Sequence, residues 1–184
     1  MNYLFFEDNV YPLYTGNTYQ MGPTVASNIY LPSLENITLE VKETEIRLLG
    51  KTYAHGNHLV SIDDKINISL LVIENTEYYL LPEKILYLSD KKEASIRLVD
   101  FPTEIILTFD GTNKTIYSAS PYYVNGERKT GKQDIQDMDQ IVFEQGVALS
   151  IQKQILSIHS LFSIETSLLP FSEVMVEDRS KEFH

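Results

Sequence analysis

The stretch 121–143, PYYVNGERKTGKQDIQDMDQIVF, decides between two readings of this chain. Read for glycine and lysine, Gly126-Glu127-Arg128-Lys129-Thr130-Gly131-Lys132-Gln133 approximates a phosphate-binding P-loop. Read for apolar spacing, Tyr122, Tyr123 and Val124 form a strand, Asn125-Gly126 a turn, and Ile135, Met138, Ile141 and Phe143 lead through a polar loop into the next strand. A P-loop needs Ser or Thr after its lysine to hold magnesium, and Gln133 occupies that place. It also needs a helix directly after the loop, whose amides and dipole hold the phosphate. Asp134, Asp137 and Asp139 follow instead, and such acids repel phosphate. Asn and Gly tolerate positive φ at the least steric cost, so Asn125-Gly126 reads as a turn between strands. The second reading wins, and with it an all-β fold.

The same texture runs outward in both directions. Period-two alternation dominates and helical spacing is scarce. Ile37, Leu39 and Val41 alternate with Thr38, Glu40 and Lys42, the pattern of a half-buried strand. A similar order of signals then recurs about seventy residues later. Ile96-Arg97-Leu98 echoes Ile29-Tyr30-Leu31, and Ala94-Ser95 echoes Ala26-Ser27. Ile105, Leu107 and Phe109 echo Ile37, Leu39 and Val41. Tyr123-Val124-Asn125-Gly126 echoes Tyr53-Ala54-His55-Gly56, and Asp139-Gln140-Ile141 echoes Asp64-Lys65-Ile66. Pro82 reads as a boundary. The expected organisation is two consecutive small antiparallel β-sandwiches, residues 1–81 and 82–163, followed by a charged tail or linker, 164–184. Within that tail, Leu168-Leu169-Pro170-Phe171 is apolar enough to dock on the second domain.

Composition narrows the function. With 43% hydrophobic and 22% charged residues among 184, the chain is ordinary globular material. It has no cysteine, which excludes disulfides and thiolate metal sites and favours a reducing compartment. It has no tryptophan, which weakens a sugar-binding reading. A formal charge of −11 argues against nucleic acid, whose phosphates need a basic face. The start, MNYLFFED, has no basic leader and reads as a first strand, and no run of 18 apolar residues predicts a membrane span. The three Asn-x-Ser/Thr triplets, at Asn36, Asn67 and Asn113, are therefore expected to stay unmodified. His55 and His58 lie three apart on a loop without further ligands, and no Gly-x-Ser-x-Gly elbow occurs. The carboxylates alternate with apolar residues, as on solvated strand faces. The residues point to no cofactor, no metal and no enzyme, and the twelve tyrosines suit half-buried strands or an interaction face.

Tyr123-Val124-Asn125-Gly126, the polar residues after it, and Ile135, Asp139, Ile141 and Phe143 together resemble the second half of a forkhead-associated (FHA) domain. That family is a small β-sandwich with a Gly-Arg pair after its third strand, a Ser-x-x-His in the next loop and an Asn-Gly in a later one. Loops at one end bind phosphothreonine peptides in typical members. Here Asn125-Gly126 matches, but Ser89-Asp90 stands at the Gly-Arg place and Asp100-Phe101-Pro102-Thr103 at the Ser-x-x-His place. In the first repeat Met21-Gly22 ends its strand without an arginine, Ser33-Leu34-Glu35-Asn36 has the serine without the histidine, and His55-Gly56 replaces Asn-Gly. Two such degenerate repeats are similar to the N-terminal cytosolic segment of the FtsK/SpoIIIE-type membrane ATPases of type VII secretion in Gram-positive bacteria.

The resemblance implies a non-catalytic interaction module on the cytoplasmic side of the membrane, partnered by other secretion-system proteins. It also implies a fragment, since membrane helices and ATPase modules are not among these residues. The candidate partner-binding residues are Asn125, Gly126, Arg128 and Lys129, with Ser33 and His55 from the first repeat. Phosphothreonine affinity is expected to be weak or absent, because the arginine that supplies charge-assisted bonds is missing. The alternatives are a working phosphothreonine reader, with Asn125 on the peptide backbone and Arg128 or Lys129 replacing that arginine, and an all-β enzyme or sugar-binding module.

Overall fold

The computed structural model describes residues 1–32, 35–81 and 84–168. Every regular element among them is a β-strand. They group into two compact units, Met1–Glu74 and a second that begins at Asn75.

The first unit contains β1 (Asn2–Phe6), β2 (Asn9–Leu13), β3 (Thr18–Gly22), β4 (Ile29–Tyr30), β5 (Ile37–Val41), β6 (Ile46–Leu48), β7 (Lys51–Tyr53), β8 (Gly56–Asp63) and β9 (Ile66–Val72). They form a sheet in the order β2-β1-β9-β8 and another in the order β4-β3-β5-β6-β7. Alternation explains the packing. Leu39 and Val41 are buried while Thr38 is exposed and Glu40 reaches the surface. Leu4, Ile68 and Leu70 of the first sheet meet Met21, Leu39, Ile46 and Leu48 of the second in one apolar cluster. Burying such a side chain is worth about 1.5–3 kcal/mol, so this shared cluster is what holds the two sheets face to face.

The second unit contains β10 (Thr76–Leu80), β11 (Ile85–Ser89), β12 (Ile96–Leu98), β13 (Ile105–Asp110), β14 (Asn113–Val124), β15 (Glu127–Ile135), β16 (Ile141–Phe143), β17 (Val147–Gln152), β18 (Ile155–Ser160) and β19 (Ile164–Thr166). The order is β10-β18-β17-β16-β14-β13-β11-β12-β19, with β15 beside β14. The twelve-residue β14 joins the two layers. Its first half pairs with β13, Lys114 opposite Phe109 and Tyr117 opposite Ile106. A register shift between Ser118 and Tyr122 then bends it, and its last residues pair with β16, Tyr123 opposite Val142 and Val124 opposite Ile141. The bend is fixed by Tyr122, which is fully buried, stacks on Phe143 at 5.3 Å and donates its hydroxyl to the Gly131 carbonyl at 2.7 Å. Leu86, Leu88, Ile105 and Leu107 from one layer and Phe143, Leu149, Leu156 and Ile158 from the other share one core.

The repeated signals occupy matching places where pairing can be compared. Met21 of β3 lies opposite Ile29 in a parallel pair, as Leu88 of β11 lies opposite Ile96. Met21 also faces Ile37 across β5, as Leu88 faces Ile105 across β13. In both units the side chain before the short parallel strand caps a neighbouring amide: Asn28 Oδ1 accepts from Gln20 N–H at 2.9 Å, and Ser95 Oγ from Tyr87 N–H at 3.2 Å. That register aligns Ser95 with Asn28, so the echo of Ala94-Ser95 with Ala26-Ser27 is one residue out of step.

Several expectations need correction. Residues 76–80 belong to the second unit, because β10 pairs with β18, Tyr79 opposite Leu156, so the division falls near Glu74 rather than at Pro82. The polar loop after Asn125-Gly126 is a strand, β15, paired along β14 in a tight hairpin. By pairing, its counterpart in the first unit is the Leu49-Gly50 turn between β6 and β7, not His55-Gly56. Likewise Asp64-Lys65 turns between β8 and β9 as Lys153-Gln154 does between β17 and β18, which displaces the echo at Asp139-Gln140. Ile164–Thr166 is no tail but β19, antiparallel to β12, and Leu168 packs on the second core; residues 169–184 lie outside the described residues.

Candidate functional site

In the second unit, the loops after β11 and β12 lie at the end where the resemblance would place a phosphate. The geometry there is closed by acids. Arg97, on β12, donates from Nε to the Asp90 carbonyl at 2.7 Å, bridges Asp90 Oδ1 at 3.2 Å and reaches Glu165 Oε2 on β19 at 3.0 Å. The Glu165 carboxylate, ahead of Asp90, raises the Arg97 pKa further. Asp90 Oδ1 also accepts from the Asp100 N–H at 3.0 Å, and Asp100 sits at φ +70°. Beside it Lys91 Nζ is 2.7 Å from Glu104 Oε1, which also accepts from the Tyr87 hydroxyl at 2.6 Å. Lys91 and then Tyr87 hold the Glu104 carboxyl below its ordinary range. Ser89 Oγ is turned onto the Lys91 N–H at 3.0 Å. An approaching phosphate would therefore meet Asp90, Glu104 and Glu165, with Arg97 and Lys91 already engaged. In the sequence, Arg97 reads only as a residue of the strand Ile96-Arg97-Leu98. Its role depends on the parallel register of Ser89 with Arg97 and on β19, neither of which is local in the chain.

The candidate residues of the long hairpin lie elsewhere. β14 passes the loop end, where the Thr103 and Ser120 hydroxyls share a hydrogen bond at 2.7 Å, and then runs back in the other layer. Its tip, Asn125-Gly126, is held by the turn before β16. Asn125 Nδ2 donates to Asp139 Oδ1 at 2.9 Å, its Oδ1 accepts from Gln140 N–H at 2.9 Å, and its own N–H donates to the Gln140 carbonyl at 2.8 Å. Asn125 at φ +50° and Gly126 at φ +87° make the hairpin turn whose twist suits antiparallel strands. Asn125 is thus a structural fastener for two segments. Asn125→Ala is expected to cost about 1–2 kcal/mol in urea unfolding, from two lost side-chain bonds and a left-handed alanine. Arg128 and Lys129 are consecutive on β15 and so point to opposite faces; Lys129 is 3.2 Å from Glu127.

His55 lies in the first unit and accepts on Nδ1 from the Glu74 N–H at 3.0 Å. His58 bonds the Ala54 carbonyl at 2.6 Å and tilts against the Tyr53 ring at 5.3 Å. The structure thus gathers Asn125, Gly126, Arg128 and Lys129 on one hairpin and leaves His55 in the other unit; Ser33 lies outside the described residues. In the first unit, Gly22 stands where Ser89 stands in the second. A Cβ there would come within 2.2 Å of Asn36 Oδ1, so the asparagine occupies the place beside the glycine.

At the far end of the second unit a cleft of about 720 Å³ opens among Leu81, Phe109, Lys114, Ile135, Asp137 and Lys153. Lys114 Nζ is 2.5 Å from Asp137 Oδ1, and Asp137 Oδ2 accepts from the Lys153 N–H at 3.0 Å. Lys114 first, then the Lys153 amide, lowers the Asp137 pKa. A folded pKa below the unfolded one contributes stability at neutral pH that is lost as pH falls through the carboxylate range. Asp137→Asn should therefore flatten the acid side of the stability–pH curve while leaving its slope above pH ~6 unchanged. Among the described residues no group of three or more His, Cys, Asp or Glu is placed to hold a metal, and no helix is long and apolar enough to cross a membrane.

No protein-family model matches the chain, and no curated protein matches it. A solved structure does: the N-terminal FHA domain from EssC, a component of the bacterial Type VII secretion apparatus. The match has a TM-score of 0.68 and covers 93% of this chain and 97% of that one, at 14% identity. The chain has the all-β fold of that FHA structure.

Proposed function

We propose, from that shared fold, that this chain is a phosphate-independent protein-interaction module: a tandem of degenerate FHA-like sandwiches serving as the cytosolic N-terminal part of an EssC-like, FtsK/SpoIIIE-type ATPase in a Gram-positive bacterium. Its work is to assemble or regulate the secretion machine through contacts with the other components, and it performs no chemistry itself. The observation that carries this reading is the acid-filled loop end, where Asp90 and Glu165 hold Arg97 and Glu104 holds Lys91. A site built to read phosphothreonine presents uncommitted cations to a dianion; this end presents carboxylates.

The test is a titration of the chain with phosphothreonine peptides and their unphosphorylated twins, alongside capture of purified secretion components by the immobilised chain. The expected result is capture of a component with no gain from phosphorylation. Tight binding that requires the phosphate, and that Arg128→Ala abolishes, would turn the assignment to a working reader.

A further inference from the structure

Among the described strands that lie at a sheet edge, β15 is the longest. β15 is nine residues long and pairs with β14 and with no other strand among the described residues. Among the described residues it is therefore the edge of both layers of the second unit. An open edge offers a row of backbone N–H and C=O groups to any extended chain, so proteins shorten, break or charge such edges. Of the other edge strands, β7 and β19 have three residues, β4 two and β10 five, β2 carries Pro12, and the eight-residue β8 is broken by a register shift between Ser61 and Asp63. β15 has no proline, and its guard is charge: Arg128, Lys129 and Lys132 outnumber Glu127, which pairs with Lys129, and Asp134, in a chain whose net charge is −11. Its residues alternate, Arg128, Thr130, Lys132 and Asp134 exposed and Lys129 and Gln133 half-buried. Lys132 lies beyond the bend at Gly131, opposite Tyr117, on the arm that continues to Ile135.

A basic edge discriminates between occupants. A second copy of the same edge would set Lys132 opposite Arg128 or Lys129 in two of its central antiparallel registers, which opposes self-pairing there. An acidic strand gains both the backbone ladder and the charge pairing. We propose that β15 is a docking edge to which an extended, acidic segment of a partner protein adds as a strand. This rests on the interaction-module reading and names the chemistry of its partner. The bend at Gly131 limits the addition to one arm at a time, so the recognised segment is short.

The probe is an eight-residue peptide of alternating Glu and Thr, titrated into the isotope-labelled full chain. Amide shifts are expected to be confined to Glu127–Ile135 and its partner β14. The double variant Lys129→Glu, Lys132→Glu should weaken binding about tenfold or more, and N-methylation of alternate peptide amides should abolish it. Both lysines reach the surface, so the variant is expected to fold, which its unperturbed amide spectrum would verify. Absence of binding, shifts centred elsewhere, or equal binding of the N-methylated peptide would overturn the proposal. Capture of a secretion component by the double variant at the wild-type level would also overturn it while leaving the module reading intact. Peptide binding at β15 with no component captured by the wild type would leave the edge standing and remove the module reading.

Discussion

Gly146→Ala is expected to destabilise the second unit by about 3 kcal/mol, the sum of a positive-φ alanine and an overpacked contact. Gly146 closes the turn between β16 and β17 at φ +127°, a conformation that side chains rarely adopt. Its backbone is fixed from both sides: its N–H donates to the Phe143 carbonyl at 2.9 Å, and its carbonyl accepts from the Leu161 N–H at 2.9 Å. A Cβ at this position would lie 2.7 Å from Leu161 Cδ1, 2.9 Å from Cγ and 3.1 Å from Cβ. The last of these is next to the main chain and cannot swing away. Urea unfolding of Gly146→Ala, of Leu161→Ala and of the pair separates the two costs. The double variant should recover the part due to Cδ1 and Cγ and keep the backbone part together with the Cβ contact. A single variant unfolding at the wild-type midpoint would contradict the geometry.

Phe143→Ala should cost more, about 4 kcal/mol. Phe143 is completely buried, stacks on Tyr122 at 5.3 Å with planes 22° apart, and meets the Phe101 ring edge-on at 6.0 Å. Removing it takes away apolar burial and both ring contacts and leaves a void beneath the bend of β14. Set against total stabilities of about 5–15 kcal/mol, the variant should show a large fall in denaturation midpoint. Phe109→Ala is the internal comparison. Phe109 only partly enters the same core, so a loss as large there would mean that burial is not what ranks these positions.

Strands that bury one face were legible because burial writes an alternating pattern into the chain, as at Ile37, Leu39 and Val41 or Ile105 and Leu107. β15 was not, because an edge strand needs few buried side chains; its sequence, ERKTGKQDI, reaches a buried residue only at Ile135. β10 reads with the first repeat for a different reason. Pro82 is a local punctuation mark, whereas the partners of Tyr78-Tyr79-Leu80 are Ser157-Leu156-Ile155, which nothing local announces. The echo of Tyr53–Gly56 in Tyr123–Gly126 was similarity of spelling, and only pairing showed that Leu49-Gly50 is the matching turn.

The candidate site was legible in what it lacks. Ser89-Asp90 without an arginine pointed to a weakened phosphate end. What fills that end was hidden, because Asp90, Arg97 and Glu165 lie on three different parts of the chain and meet through β11, β12 and β19. Asn125 was legible as a turn residue. Its grip on Asp139 and Gln140 was not, since a side-chain amide can face a partner as readily as its own neighbours.

The bent hairpin of β14 and β15 bears on how the second unit comes apart. Its contacts are close in sequence, from Val124 opposite Glu127 out to Lys114 opposite Ile135, so its closure entropy is small and it can assemble early. Because the one hairpin serves both layers, neither layer can melt and leave the other whole. Opening must instead begin at a strand held by a single distant partner. β10 is such a strand, joined to β18 from Thr76 opposite His159 to Leu80 opposite Ile155. Hydrogen exchange should accordingly grade from a fast periphery at β10 to a slow centre at the bend, with Tyr122 at its middle.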